Sequence, residues 1–443
     1  MNQGGPDYQH IIWPWKTQNW SKIKTVLSSR VNNFVDLDAK IASLRTTKSR
    51  PRLLHELFDL YYNGDEYLNN RVSQQVLFEK IIPGLQKLVL DAPRAFKDFN
   101  GRLLLPGQNT NITLTRLQSL TIIAYIWFGL FEYDYISPGD ISIDEFSEPT
   151  FMYGIESSNV TVLQFILVYF DRVFDIIDTE EFNRGIIIIQ RGNFRPPTWD
   201  NFNIPIVEPA LGEGRTDDTY APVQIAHAHQ FIGGDLFKKS ITQEELTLLI
   251  RPDCIPMLLF CARLDDNEAI CIYGAEKFSQ YTGIGSSIRY LQKYTDTTER
   301  SNGSAIMMKN CVVFIDATQK SSSRDQAITD FERDLNKAYT GFSLYSAPCS
   351  AAVGNWSYDF NGANMQVKFI QLLLAASAAR KRLEYHPIGR EFESQLLPFI
   401  DWLIREKITI SKLYRSYKYL IGGISSTSRY ADLNIFESLA EMQ

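Results

Sequence analysis

Apolar residues in the first third of the chain recur at helical spacing. Leu53, Leu54, Leu57, Phe58, Leu60 and Tyr61 form one set, and Val76, Leu77, Ile81, Leu85 and Leu88 form another. Pro83 and Gly84 interrupt the second set, and Pro93 limits its end because proline has no N–H to continue a helix. Residues 114–131 are apolar nearly all round, the pattern of a helix at the centre of a bundle. A further helix is expected over 160–177. The aromatic residues of these segments read as core packing. Near Gly185 the texture changes. Ile186, Ile187, Ile188 and Ile189 form a β-branched run of strand length, and 195–209 is rich in proline and asparagine, as loops are. Residues 223–225, 255–261, 269–273 and 311–315 are compact apolar runs of buried-strand type. Helical patterns lie between them at 243–250, 324–338 and 365–380. The alternation predicts a mixed or largely parallel sheet covered on both faces.

The whole chain has 443 residues, 44% hydrophobic and 22% charged, which is ordinary globular composition with room for two or three units. Lysine and arginine total 45 against 51 acidic residues, a net charge of −6. That balance lacks the basic footprint of a nucleic-acid binder, so no direct DNA binding is expected and any polyanion must be held locally. Cys254, Cys261, Cys271, Cys311 and Cys349 contain no C-x-x-C pair. With no apolar signal segment at the start, reduced thiols and a cytoplasmic or nuclear location are expected. On that footing the Asn-x-Ser/Thr triplets at Asn19, Asn111, Asn159, Asn302 and Asn355 are not glycosylated. The longest apolar run, 120–131, is about half of what spans a bilayer, so no membrane segment is expected. No internal repeat is present. Trp13-Pro14-Trp15 and Trp20 read as part of a helical lid rather than a docking patch, and the Ser/Thr-rich stretch 423–443 as a poorly ordered tail.

Candidate chemistry centres on Phe231-Ile232-Gly233-Gly234-Asp235, followed after seven residues by Gln243-Glu244-Glu245. Paired glycines let backbone N–H groups approach a phosphate. Two carboxylates at a helix start offer acid and base, though the same pair also favours a helix N-terminus electrostatically. His227-x-His229, two histidines on one strand face without further ligands, reads as ordinary polar residues rather than a metal pair.

These segments resemble the poly(ADP-ribose) glycohydrolase family, in which three glycines and seven residues precede Gln-Glu-Glu. Gly274-Ala275-Glu276-Lys277-Phe278-Ser279-Gln280-Tyr281-Thr282-Gly283 looks like that family's Tyr-x-x-Tyr-Thr-Gly segment. Phe314-Ile315-Asp316-Ala317, Leu335-Asn336-Lys337-Ala338-Tyr339-Thr340-Gly341-Phe342, Gly354-Asn355-Trp356 and the alanine-rich helix around 371–379 follow in family order. The resemblance covers 160–420. It implies an α/β fold: a macrodomain-like α/β/α sandwich with a mixed sheet (181–422), preceded by an all-helical accessory domain (1–180). It implies hydrolysis of ribose–ribose bonds with no metal and no cofactor. Glu245 would be the acid/base residue, and Glu244 would hold ribose hydroxyls. Gly233, Gly234, Gln243, Tyr281 and Asn355 would line the ligand, with Asp217 or Asp218 reading the adenine amino group.

The departures from the family pattern cluster on that same ligand. The family's ligand-binding Asp and Asn become Ala226 and His229, and its third glycine becomes Asp235. A substrate-facing tyrosine becomes Ile284, and a phenylalanine becomes Ile388. In the diphosphate loop Tyr358, Asp359 and Phe360 stand where the family has small residues. An inward Asp235 would oppose a diphosphate by about 4 kcal/mol at 4 Å and an effective dielectric of 20. These changes point to a catalytically impaired or inactive homologue acting as a scaffold with protein partners in a larger assembly. The alternatives are an active glycohydrolase on poly(ADP-ribose) with a rebuilt pocket, or an ADP-ribose reader.

Overall fold

The protein is described by a computed structural model over residues 9–44, 54–64, 70–131, 135–147, 160–233, 236, 241–318, 324–356, 364–423 and 434–442. Its frame is an eight-stranded mixed sheet. The strands are β1 (Thr110–Thr115), β2 (Ile186–Asn193), β3 (Ala210–Leu211), β4 (Val223–Ala228), β5 (Glu268–Tyr273), β8 (Cys311–Asp316), β9 (Ser350–Gly354) and β10 (Arg382–His386). Their order is β1-β2-β5-β8-β4-β9-β10-β3. Each of the first four runs antiparallel to its neighbour, whereas β8, β4, β9, β10 and β3 are mutually parallel. Strands β6 (Ser279–Thr282) and β7 (Arg289–Lys293) form a separate hairpin.

Two cores lie on opposite faces of the sheet, as period-2 side-chain alternation requires. In β8, Val312 and Phe314 join the N-terminal helices, while Cys311, Val313 and Ile315 face the helices Arg324–Leu344 and Met365–Ala378. A helical unit therefore covers one face and later helices the other, the doubly covered sheet that the apolar runs predict and the sandwich that the resemblance implies. The helices Ile82–Ala95 and Val160–Ile176 approach closely at Gly84, where a Cβ would lie 2.5 Å from Phe174 Cζ. Trp13 is buried here, stacked on Trp15 at 4.7 Å and ringed by Phe96, Phe99, Phe131 and Phe260. The tryptophan segment is thus folded into the helical unit.

Several sequence expectations change. Residues 110–115 form edge strand β1 inside the expected helical region, because Ile112 and Leu114 alternate with threonine and asparagine. Thr115 then caps the helix Arg116–Trp127 through a reciprocal pair with Gln118. The 255–261 run is not a strand: Met257–Phe260 is a short helix. Pro252 and Pro256 preset helical φ there, and so short an apolar run has no period to decide between the two. Pro83 does not break its helix; it sits in the first turn of Ile82–Ala95, after a π-helical turn, Leu77–Ile81, and Pro93 lies in the last turn. In the expected tail, Ile435–Glu441 is a docked helix, with Phe436 stacked on Phe399 at 4.0 Å and Ile435 N–H donating to Gln366 Oε1 at 2.6 Å. Among the described residues no helix is long and apolar enough to cross a membrane, and all five cysteines are free thiols.

Candidate active site

Parallel strands β8, β4, β9 and β10 end on one edge of the sheet, where open α/β sheets bind ligands. His229 follows β4, Asn355 follows β9, and Ile388 lies two residues beyond β10. The helix Gln243–Ile250 points its N-terminus at the same edge, carrying Glu244 and Glu245 in its first turn.

Both carboxylates are buried. Glu244 turns back to the loop after β4: Oε2 accepts from the His229 backbone N–H at 2.7 Å, and Oε1 accepts from the Gly233 N–H. Gly233 adopts φ +70°, and a Cβ there would meet Leu258 Cδ2 at 2.4 Å, so only glycine fits. Glu245 forms a capping box, its Oε2 accepting from the Thr242 N–H at 2.8 Å and from Thr242 Oγ1. Its Oε1 has no hydrogen-bond partner among the described residues. Burial, then the neighbouring Glu244 charge, pushes the Glu245 carboxyl up to about 7. Burial also raises Glu244, and the His229 and Gly233 contacts offset that in part. His229 Nδ1 lies 3.3 Å from Glu244 Oε2, with its side chain 43% exposed. One ligating atom from each of His229, Glu244 and Glu245 falls within 4.8 Å of the others, a set able to hold a metal ion. The absence of further ligands that argued against a metal pair therefore holds for His227 but not for His229. His227 is half-buried on β4 with its Nε2 shielded from solvent and unpaired among the described residues; desolvation and then nearby Lys368 lower its pKa to about 3, leaving it neutral.

A second acid pair lies on the turn Thr216–Asp218. Asp217 accepts from Lys277 Nζ at 2.7 Å and from Tyr281 OH at 2.9 Å. Asp218 accepts from Lys277 Nζ at 2.8 Å and from Arg215 Nε at 2.9 Å. The Arg215 guanidinium lies 4.1 Å over the Tyr281 ring and donates to the Tyr281 carbonyl at 2.7 Å. Gln243 Nε2 donates to Thr216 Oγ1 at 3.3 Å, which ties the two acid pairs together. Lys277, Arg215, Thr216 and Thr242 are thus site residues that the motif reading passed over. In the sequence Lys277 stands beside Glu276, an ordinary pair of opposite charges, so nothing local marks it; its burial is what makes acidic partners necessary.

The remaining expected positions divide. Asn355 Oδ1 accepts from Tyr385 OH at 3.0 Å and from the Ile388 N–H at 3.2 Å, while Nδ2 donates to the Ile388 carbonyl at 3.1 Å. It therefore staples the ends of β9 and β10. Ile388 and Ile284 are exposed, Ile284 at 77%. Ala226 is buried in the apolar core on the helical-unit face. Gly234, Asp235, Tyr358, Asp359 and Phe360 lie outside the described residues. Behind the site, Lys337 and Arg333 pair with Asp316 at the end of β8, and Lys368 pairs with Asp334.

Residues 70–191 match the model of the helical domain of poly(ADP-ribose) glycohydrolase, and residues 205–395 match the model of its macro domain fold. The chain is 27% identical over 301 residues to poly(ADP-ribose) glycohydrolase 1 of Arabidopsis thaliana, covering 63% of this chain and 53% of that protein. It is 23% identical over 479 residues to a probable poly(ADP-ribose) glycohydrolase 2 of the same plant, covering 91% and 90%. With poly(ADP-ribose) glycohydrolase 2 of Caenorhabditis elegans it shares 21% over 435 residues, covering 94% and 84%. The chain spans about half the length of the first of these relatives and most of the other two. A helical unit on one face of the sheet, carboxylates at the ends of its parallel strands and both matching models agree: the chain belongs to the poly(ADP-ribose) glycohydrolase family.

Proposed function

We propose that this family member keeps an acid/base carboxylate at Glu245 but holds ADP-ribose weakly, so that hydrolysis of ribose–ribose bonds is impaired and the chain serves mainly as an interaction subunit. The observation that carries the reading is Ala226. Where the family has a ligand-binding aspartate, a methyl group packs into the apolar core and can contact no ribose hydroxyl. Exposed Ile284 offers no aromatic face, and Asn355 already spends its amide on Tyr385 and Ile388. Glu244 and Glu245 each have a structural reason to persist, one holding the 229–233 loop and the other capping a helix.

A second reading, an active glycohydrolase, is favoured by one specific feature. Glu245 is buried, with Oε1 unpaired among the described residues, as a general acid must be before substrate arrives. In that reading Glu245 protonates the departing ribose oxygen, then activates water against an oxocarbenium-like centre. The deciding experiment is release of ADP-ribose from purified polymer by wild type and Glu245→Gln. Impairment predicts a wild-type rate no more than a few times that of the variant. A wild-type rate 10²–10⁴-fold higher, the usual worth of general acid–base catalysis, would establish the second reading. The interaction role is tested separately: Glu245→Ala, if folded, should leave the cellular phenotype unchanged.

A further inference from the structure

We infer that His386 is a positioning residue whose proton fastens the 212–218 loop to the sheet, so that the turn carrying Asp217 and Asp218 is held more firmly in acid than in base. The inference goes beyond the functional reading above and stands whether or not the chain hydrolyses polymer. Three observations carry it.

First, the imidazole lies directly against the loop. His386 ends β10 at the ligand edge of the sheet, and its side chain is buried. The strand that leads into the loop, β3, has two residues and sits at the edge of the sheet beside β10. Just beyond it, the Gly212 N–H donates to the Tyr385 carbonyl at 2.8 Å. A Cβ at Gly212 would lie 2.3 Å from His386 Cε1 and Nε2, so the loop backbone rests on the ring because a glycine stands there.

Second, both ring nitrogens point at acceptors. Nδ1 lies 3.3 Å from the Gly214 carbonyl oxygen, and Nε2 lies 3.2 Å from Glu384 Oε1. A neutral imidazole carries one N–H and the imidazolium carries two, so the charged ring alone donates to both neighbours. When the ring is neutral, the Glu384 carboxylate, which can only accept, keeps the remaining proton on Nε2. The Nδ1 lone pair then faces the Gly214 oxygen, and an attraction becomes a repulsion.

Third, the acid-pair turn hangs on Gly214. Thr216 takes the bond from Gln243, Asp217 binds Lys277 and Tyr281, and Asp218 binds Lys277 and Arg215. Thr216 also packs at Gly354, the register partner of His386 on β9. The charged groups on this side are Glu384 on β10 and Glu213, Arg215, Asp217 and Asp218 on the loop; β3 and β9 carry no titratable side chain. The helices Met365–Ala378 and Arg390–Arg405 meet β10 through Tyr385, on the opposite face, and Lys368 of the first pairs with Asp334. On β4, His227 is already neutral. Histidine changes charge between about pH 5 and 8, where ordinary carboxylates and guanidinium groups do not. Glu245 also changes there, on the helix that Gln243 ties to Thr216, and the test separates the two.

The test is amide hydrogen exchange of the full chain, read by mass spectrometry at about pH 5.5 and about pH 8, with each rate divided by the intrinsic rate at that pH. In wild type, peptides covering 209–218 should gain about threefold or more in protection at the lower pH relative to peptides from β4, the worth of one hydrogen bond. His386→Gln should abolish that gain. Glu384→Gln should reduce it, because the new amide can either accept from the ring or donate to it. The Glu384 side chain is a quarter exposed, so this variant tests the pair without removing a core side chain. Glu245→Gln should keep the gain at its wild-type size. No gain in wild type, or an undiminished gain in either His386→Gln or Glu384→Gln, would overturn the inference. Loss of the gain in Glu245→Gln would overturn it too, by placing the proton on that carboxylate.

Discussion

Two pairs of consecutive carboxylates lie on segments joined by the Gln243–Thr216 hydrogen bond, and their surroundings give them opposite chemistry. Asp217 and Asp218 share the buried ammonium of Lys277, and Arg215 closes over Asp218. Although burial works against it, the bonds from Lys277 and Arg215 hold the Asp218 carboxyl below its ordinary value. Glu244 and Glu245 are more deeply buried and, among the described residues, have only His229 and backbone or hydroxyl donors. Burial and mutual repulsion push Glu245 up to about 7. A proton or a cation is welcome at the second pair and superfluous at the first. Adjacent acids in a sequence therefore say little about role until the donors around them are known.

The comparison breaks most visibly at Lys277. Lys277→Met should destabilise the protein by about 3 kcal/mol, the low end for removing one partner of a buried pair, because Asp218 is partly exposed. Denaturant unfolding would measure it; a change under 1 kcal/mol would mean that Arg215 alone suffices. Next is Glu244→Ala, which strands the Gly233 and His229 N–H groups. At about 1–3 kcal/mol for a buried donor left unsatisfied, the loss should exceed that of Glu244→Gln, which keeps an acceptor oxygen.

The contrast sharpens with pH. The folded-state value of Glu245 is raised from 4.5 to about 7. The unfolded chain therefore loses this proton first, and the contribution of Glu245 to stability falls as pH rises from about 4.5 to 7, then stays constant. Glu245→Gln should accordingly gain melting temperature relative to wild type across that window, with no relative gain below it. Asp218 has the opposite sign. Its lowered value contributes stability that is present above 3.8 and lost as pH falls through the folded value, so Asp218→Asn should cost most near neutrality. The smallest expected effect is at Ile284→Tyr. The exposed position should accept the ring without loss of stability, and restored stacking of about 0.5–1.5 kcal/mol should tighten ADP-ribose binding by roughly 2- to 12-fold in a calorimetric titration.

The sheet and the family were legible because buried strands read as short apolar runs and the motif segments keep their order. The N-terminal Trp13 and the docked helix Ile435–Glu441 were harder to place, since what they pack against, Phe260 and Phe399, is remote in sequence. Met257–Phe260 was misread because four apolar residues have no period. At the site, Glu244 and Glu245 stood out by motif, but their donors did not. Those come from backbone N–H groups at 229, 233 and 242, which carry no side-chain signature. Lys277 carries no local signal, since it stands beside Glu276 while its partners Asp217 and Asp218 are remote in sequence.

The most direct test of the central claim, an intact carboxylate corner with a weakened ligand hold, is a calorimetric titration of wild type with ADP-ribose, alongside Asp235→Gly. The account predicts little saturable heat from wild type at concentrations that saturate an efficient glycohydrolase, with binding improved in the variant if Asp235 faces the ligand. Tight wild-type binding, accompanied by polymer hydrolysis that Glu245→Gln abolishes, would contradict it and make the chain an active enzyme with a rebuilt pocket.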